Sequence, residues 1–215
     1  ELIVLEKNWN DLITPSNVVI TSKNGDLSGT VVAEPIERGY GLTIGNSLRR
    51  VLLSSLQGAA ITAIQIESVL HEFSSIPGVR EDVVDLILNI KNIAVKSHIE
   101  GASKVTLHAK GPCDVTSGMI QSNANVEIKN PELVICHLDK NSELNIDFII
   151  NTGRGYSPAA ENKPEDAPIG LIPIDAIFSP VRTVSYKIEN SRVGQDTDFD
   201  RLLLDIETDG TITPE

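Results

Sequence analysis

The residues from Glu37 to Arg50 read ERGYGLTIGNSLRR and run directly into the apolar-rich segment VLLSSL. This stretch predicts a helix from about Asn46 to Gln57, followed by Gly58 at a position where a glycine commonly ends a helix. Three glycines lead into the helix, namely Gly39, Gly41 and Gly45. A glycine-rich run before a helix raises the question of whether it binds a phosphate group at the helix N-terminus.

The spacing of the glycines fits known phosphate-binding loops poorly. A dinucleotide loop requires G-x-G-x-x-G, and here the third glycine comes one residue too late. The P-loop requires Gly-Lys followed by Ser or Thr, and this pattern does not occur in the sequence. A nucleotide-binding enzyme that uses Gly39, Gly41 and Gly45 therefore stands only as an alternative hypothesis.

The first predicted helix has apolar residues on more than one side. At about 100° per residue, one face carries the stripe typical of a helix packed on a core, formed by Ile44, Leu48, Val51, Leu52 and Ser55. Leu53 points to nearly the opposite side, beside Arg49 and Arg50. Arginines and apolar anchors are typical of interface centres, so this side indicates a partner contact, unless Leu53 is a singly exposed leucine.

A second helix candidate, EDVVDLILNIKN, repeats this arrangement after the turn residues Pro77 and Gly78. One face is formed by Val79, Val83, Leu86, Ile87 and Ile90, and another by Val84, Leu88 and Lys91. Two helices with a second, partly basic apolar side favour a protein that binds several partners.

The remaining pattern is rich in strands. Strands are predicted in LSGTVVAEPI, ITAIQIESV, RTVSYKIE and RLLLDIET, and the residues from Val95 to Ile150 form short strands separated by turns. Residues 151–170 are rich in Gly, Pro and charge and predict a long loop of the functional or mobile kind. The order of elements suggests an α/β platform interrupted by an inserted β-rich subdomain.

Composition excludes several classes of function. The 215 residues carry a net charge of −12, which argues against direct nucleic-acid binding. No apolar run approaches the roughly 20 residues that span a bilayer, and no signal pattern opens the chain, so a cytoplasmic protein is expected. Two cysteines, Cys113 and Cys136, are too few for a disulfide framework and predict buried free thiols.

Catalytic and metal-binding patterns are also missing from the sequence. The four histidines (His71, His98, His108 and His137) show none of the usual zinc spacings, and Cys136 and His137 would face opposite sides of a strand. No nucleophile elbow or paired-aspartate set is present. We therefore expect no active site, no metal and no cofactor.

The stretch ERGYGLTIGNSLRRVLLSSLQGAAITAIQIESVLHEFSSIPGVREDVVDLILNIKNIAV closely resembles the N-terminal domain of the bacterial RNA polymerase alpha subunit. The likeness continues through VEIKNPELVICHL, GRGYSPA, PIGLIPIDAIFSPV and SRVGQDTDFDRLLLDIETDGTITPE, and it extends from about Asn8 onward. The resemblance implies a non-catalytic subunit that dimerises and assembles the beta and beta-prime subunits, with omega and sigma completing the holoenzyme.

The resemblance also implies an α+β fold with two subdomains. A dimerisation subdomain of mixed sheet and helices would be formed by both chain ends, residues 1–57 and 180–215, and a β-rich insert subdomain by residues 58–179. Thr213, Pro214 and Glu215 are typical of a helix start. In the family this last helix packs against the first one, so we expect the chain to need it for strong dimerisation.

Residue roles follow from the resemblance position by position. The expected dimer interface is formed by Tyr40, Ile44, Leu48, Val51 and Leu52. The expected beta-subunit contacts are Arg50, Leu53, His71, Glu72 and Phe73, and the expected beta-prime contact is Lys91. A third reading, an independent acidic adaptor, would require that the protein occur without the beta and beta-prime subunits.

Overall fold

The computed structural model describes residues 13–25, 27–164, 166–193 and 196–214. Within them the elements follow in the order β1 (Asn17–Lys23), β2 (Ser28–Glu37), α1 (Tyr40–Ser54), β3 (Gln57–Ile66), α2 (Val83–Ile90), β4 (Val95–Ser97), β5 (Ser103–Lys110), β6 (Cys113–Thr116), a 3₁₀ turn (Ser117–Met119), β7 (Ile120–Gln121), β8 (Val126–Ile128), β9 (Val134–Leu138), β10 (Glu143–Arg154), β11 (Tyr156–Ser157), β12 (Leu171–Pro173), β13 (Ala176–Ile177), β14 (Val181–Val193) and β15 (Asp196–Thr208). Most of this is β-structure with two α-helices, so the α+β class is confirmed at that level.

Contacts divide the described residues into two compact units. One, here called the terminal unit, contains residues 13–53, 181–208 and 212–214, and the other, the central unit, contains residues 54–180 and 209–211. The assignment of 1–57, 58–179 and 180–215 to functional subdomains stays a prediction. Residues 1–12 and Glu215, on which parts of that prediction and the expected last helix depend, lie outside the described residues.

The terminal unit is built on a four-stranded sheet in the order β1-β2-β15-β14. All three of these strand pairs are antiparallel. The predicted alternation in β15 is confirmed, because Leu202, Leu204 and Ile206 are buried on one face. Val184 lies opposite Ile206 and is buried on that same face.

Helix α1 differs from its prediction at both ends. It begins at Tyr40 rather than near Asn46 and ends at Ser54, while Gln57 and Gly58 already belong to β3. The early start places Gly41 and Gly45 inside the helix, where they are its only buried residues. The expectation of a core-facing stripe is therefore wrong, since residues such as Leu48 and Val51 are exposed.

The central unit packs its core on a larger sheet. Its strands follow the order β7-β5-β10-β3-β4-β8, with β12 also paired to β3, and the pairs β6–β9 and β11–β13 lie outside it. Helix α2 buries Val83, Leu86 and Ile90 in a core that includes Ile64 and Phe148. The predicted short strands between Val95 and Ile150 are thus confirmed.

The predicted loop of residues 151–170 is shorter than expected. Strand β10 continues to Arg154, because residues 151–154 pair with residues 57–60 of β3, and Tyr156 and Ser157 form β11.

No helix in the described part of the chain is long and apolar enough to cross a membrane.

Candidate functional site

The N-terminus of α1 is capped by a side chain from a distant strand. The carboxylate of Asp200, on β15, accepts hydrogen bonds at Oδ2 from the backbone N–H of Gly39 at 2.9 Å and of Gly41 at 3.1 Å. Asp200 is buried, and its negative charge lies at the positive end of the helix dipole. The amides that a phosphate would use are thus bound to a carboxylate of the same chain.

The glycines of α1 allow the helix to approach the sheet closely. A Cβ atom added at Gly45 would lie 2.8 Å from Tyr186 Cδ2 and 3.0 Å from Leu202 Cδ1. One added at Gly41 would lie 2.9 Å from Asp200 Oδ2. These spacings are shorter than van der Waals contact, so Gly41 and Gly45 serve helix–sheet packing.

The apolar side chains of α1 lie beside the glycine side of the helix, and several of them are exposed. Of the five residues expected at a dimer interface, Tyr40, Leu48 and Val51 are exposed, with Val51 at 50%, and Ile44 and Leu52 are half-buried. The structure therefore brings all five together on one helix, and three of them are 41–50% exposed in the single chain.

The basic residues of α1 have different environments. Arg49 donates a hydrogen bond from Nε to the carbonyl oxygen of Val184 at 3.1 Å, which ties the helix to β14. Arg50 is exposed, and Leu53 is half-buried instead of standing alone in solvent. Both arginines are exposed, and Arg49 is also hydrogen-bonded within the terminal unit.

An apolar surface on β1 was missed by the sequence reasoning. Val18 and Ile20 are exposed. They lie on the same face of the sheet as α1, because Val18 is opposite Ala33 and Ala33 is opposite Leu202, whose side chain contacts the helix at Gly45. The only sequence signal was the short run VVI, which by itself does not tell an edge strand from a buried one.

The loop that carries His71, Glu72 and Phe73 lies on the central unit. Phe73 is 80% exposed and His71 is also exposed, while Glu72 is half-buried. Near the start of this loop, Leu70 and Ile169 contribute to the wall of an open groove of about 440 Å³. The loop therefore presents a large aromatic side chain and a neighbouring groove to solvent.

Lys91 directly follows helix α2 and is not a free cation. Its Nζ lies 2.9 Å from Asp175 Oδ2, and both side chains are about one-third exposed. The hydrogen bond from Lys91, together with the backbone N–H of Ala159, holds the pKa of Asp175 below its ordinary value. The Lys91 ammonium is thus engaged by a carboxylate of its own chain.

A second polar cluster lies at the start of α2. Burial would raise the pKa of Glu81, but hydrogen bonds from the backbone and ring of His137 outweigh it, and the pKa is lowered. His137 Nδ1 lies 2.6 Å from Glu81 Oε1, and its backbone N–H donates to Oε2 at 2.8 Å. The neighbouring Cys136 is fully buried, as predicted, and Cys113 is half-buried.

The geometry of these polar clusters favours a structural role over a catalytic or metal-binding one. Burial raises the pKa of Cys136 to about 12, with the nearby Glu81 and Cys113 adding to the effect, so its thiol is a poor nucleophile. Among the residues that the structure describes, no three His, Cys, Asp or Glu side chains are grouped as metal ligands. The surfaces most suited to function are the exposed apolar and basic ones.

One comparison with known families bears on these surfaces. A family model described as the RNA polymerase Rpb3/RpoA insert domain matches residues 64–179, which is more than half of the chain. The match lies entirely within the central unit and includes α2, Lys91, Asp175 and the loop of Phe73.

Proposed function

Because the chain belongs to the RNA polymerase Rpb3/RpoA insert-domain family, we propose that it is the alpha subunit of a bacterial-type DNA-directed RNA polymerase. In this role it is a non-catalytic assembly scaffold that dimerises and recruits the beta and beta-prime subunits. The family match over residues 64–179 is the observation that carries the proposal. The exposed apolar side chains of α1 support it, since assembly requires surface that a partner can bury.

The proposed dimer interface is the apolar stripe of α1, formed by Tyr40, Ile44, Leu48, Val51 and Leu52. Asp200 and the two buried glycines fix this helix on the sheet, so the face is preorganised before a second copy arrives. Val18 and Ile20 extend the apolar surface on the same side of the sheet. A symmetric dimer would use this surface twice.

The proposed contacts with the beta subunit are Arg50 and Leu53 on α1 and the loop His71, Glu72 and Phe73. Arginine and aromatic side chains are the residue types that most often dominate binding energy at protein interfaces. The exposure of Arg50 and of Phe73 agrees with this role. Lys91 marks the proposed beta-prime side, and omega and sigma would join the assembled enzyme.

The alternative, a nucleotide-binding enzyme, has no supporting observation. The backbone N–H groups of Gly39 and Gly41 already donate to Asp200. The net charge of −12 is also unfavourable for phosphate groups and for direct nucleic-acid contact. Catalysis in the proposed function belongs to the large subunits.

The proposal is tested by co-purification of the beta subunit with the Arg50→Ala variant. We expect the variant to keep its thermal unfolding midpoint and to retain much less beta subunit than the unmodified chain. Arg38→Ala is the matched control, because Arg38 is an exposed arginine of the terminal unit whose ion pair with Asp198 is also exposed and contributes little to stability. Full retention of beta by the Arg50 variant, or saturable nucleotide binding by the unmodified chain, would contradict the proposal.

A further inference from the structure

The turn between β1 and β2 contains the one Asn-Gly dipeptide of the sequence, Asn24–Gly25. Strand pairing ends at Lys23 and Ser28, so residues 24–27 form a four-residue connection. Asn24 and Gly25 are both exposed, and both have a left-handed backbone, with φ of 52° and 62°. Glycine and asparagine adopt this conformation at the lowest cost. The turn therefore places at the surface a dipeptide that is prone to cyclise through its own atoms.

The reaction of an Asn-Gly dipeptide joins the glycine backbone to the asparagine side chain. In this chain, Gly25 N would lose its proton to hydroxide and form a bond to Asn24 Cγ, and the side-chain nitrogen would take up a proton from water and leave as ammonia. Water then opens the resulting succinimide ring at either carbonyl group. The product is aspartate, or isoaspartate where the main chain passes through the former side chain. The net reaction consumes one water, releases one ammonia and needs no oxidant or metal.

The attacking nitrogen of Gly25 is accessible. A Cβ atom placed at Gly25 would have no heavy atom within 4 Å, so the space around this backbone is open. A hydrogen bond of 3.4 Å from Leu27 N to the Asn24 carbonyl oxygen closes the turn, while the Gly25 amide donates no hydrogen bond to another of the described residues. Within that part of the chain, ring closure therefore breaks no hydrogen bond of the attacking amide.

A second exposed asparagine provides a comparison in the same chain. Asn141 has nearly the same backbone conformation, with φ of 63°, but it is followed by Ser142. The Ser142 amide, which would be the attacking nitrogen there, donates to the Asp139 carbonyl oxygen at 3.3 Å. The Ser142 side chain also packs against Gly78. The reactive nitrogen is thus held at Asn141 and open at Asn24.

We propose that Asn24 is a self-modification site, at which the chain converts its own β1–β2 turn to isoaspartate. Isoaspartate adds one carbon atom to the main chain and one negative charge, so the connection no longer fits the pairing of Lys23 with Ser28. Strand β1 has little packing to resist this change, because six of its seven residues are exposed. The modification therefore loosens β1, which carries the exposed Val18 and Ile20.

The test is timed incubation of the full chain at neutral pH, followed by peptide mapping with mass spectrometry. Methyl transfer by a purified isoaspartyl methyltransferase counts the isoaspartate separately. We expect Asn24 to convert at least about tenfold faster than Asn141, because Gly25 has no side chain and its amide has no hydrogen bond to break. Conversion of Asn24 at the rate of Asn141, or more slowly, would overturn the inference.

The same incubation in denaturant separates the effect of the fold from that of the dipeptide. Unfolding removes the hydrogen bond between Ser142 and Asp139, so the ratio of the two conversion rates should fall. An unchanged ratio would show that the open Gly25 amide has no part in the reaction.

Two variants separate the reaction from its consequence. Gly25→Ala places a methyl group beside the attacking nitrogen and should slow conversion of Asn24 several-fold; its unfolding midpoint is recorded as well, because alanine is strained at this φ. Asn24→Asp carries the new charge on a normal main chain, so hydrogen exchange in β1 should be faster in the aged protein than in this variant. Equal exchange in the two would refute the loosening of β1, and unslowed conversion in Gly25→Ala would refute attack by Gly25.

Discussion

The backbone N–H of Gly41 donates a hydrogen bond to the carboxylate of Asp200, although 159 positions separate them in the chain. Asp200 also accepts from Gly39, so a residue on β15 satisfies two of the amides that every helix leaves free at its N-terminus. This contact fixes where α1 begins. The two buried glycines, Gly41 and Gly45, leave room for the helix to lie close to this strand.

Replacing Asp200 by alanine is expected to destabilise the terminal unit. Loss of a cap costs about 1–2 kcal/mol, and hydrogen bonds to a charged acceptor lie toward the upper end of that range. Asp200→Asn keeps one acceptor oxygen and should lose less. The measurement is the free energy of unfolding in urea. Asp198→Ala removes a nearby but exposed carboxylate and should change it little, and equal losses for all three variants would contradict the capping role.

Gly45→Ala is expected to destabilise the terminal unit even though alanine favours helix. The gain in helix propensity is about 1 kcal/mol, whereas forcing a methyl group against the Tyr186 ring at 2.8 Å should cost about 1–3 kcal/mol. Thermal and urea unfolding would measure the difference. Asn46→Ala, at the next and exposed position, should be neutral or stabilising. A more stable Gly45 variant would show that the helix can move away from the sheet.

Much of the fold followed from the sequence, because its strands show clear alternation. The pattern of Leu202, Leu204 and Ile206 and the buried side of α2 at Val83, Leu86 and Ile90 were predicted and confirmed. The start of α1 was predicted wrongly, since it depends on Asp200, whose contact with Gly41 spans most of the chain. Local patterns carry no information about such a partner.

The candidate site was less accessible to sequence reasoning. The apolar stripe of α1 predicts a side buried in the core, although the buried residues of the helix are Gly41 and Gly45 and Val51 is half exposed. Local sequence patterns do not predict ion pairs between distant residues either. The resemblance predicts a partner contact for Lys91 but not its ion pair with Asp175, 84 positions away. The interface roles of these residues stay predictions, because they describe contacts with other chains.

Val51→Ser is expected to weaken dimerisation of the chain. Burying a valine contributes roughly 1.5 kcal/mol or more, and a symmetric interface loses it twice, so the dissociation constant should rise about 100-fold. Sedimentation equilibrium would measure this constant. Val84→Ser on α2 is the matched control, because Val84 is also an exposed helical valine but lies outside the proposed dimer face. Equal dissociation constants for both variants would exclude the α1 face.

The two thiols are expected to differ sharply in reactivity. With a pKa of about 12, Cys136 should be thiolate in only about one molecule in ten thousand at pH 8, and it is also buried. Cys113 is half-buried and should react with iodoacetamide first. Mass spectrometry after timed labelling would assign the sites, with both cysteines labelled in denaturant as the control. Equal labelling rates in the native protein would show that β9 opens readily.

The contact between Glu81 and His137 is expected to make stability depend on pH. Since hydrogen bonds from His137 lower the folded pKa of Glu81 despite its burial, the group adds stability above its ordinary pKa. That contribution should disappear as the pH falls below about 5 and through the folded pKa. Asp114 Oδ1, 3.7 Å from His137 Nε2, also faces the ring.

Glu81→Gln isolates this contribution, because the amide can still accept a hydrogen bond but no longer titrates. The variant should be less stable than the unmodified chain at pH 7, and the difference between their free energies of unfolding should shrink toward pH 3. Glu132→Gln, at an exposed position, is the control and should leave the pH profile unchanged. A difference between Glu81→Gln and the unmodified chain that stays constant from pH 7 to pH 3 would mean that Glu81 titrates in the folded protein as it does in the unfolded one.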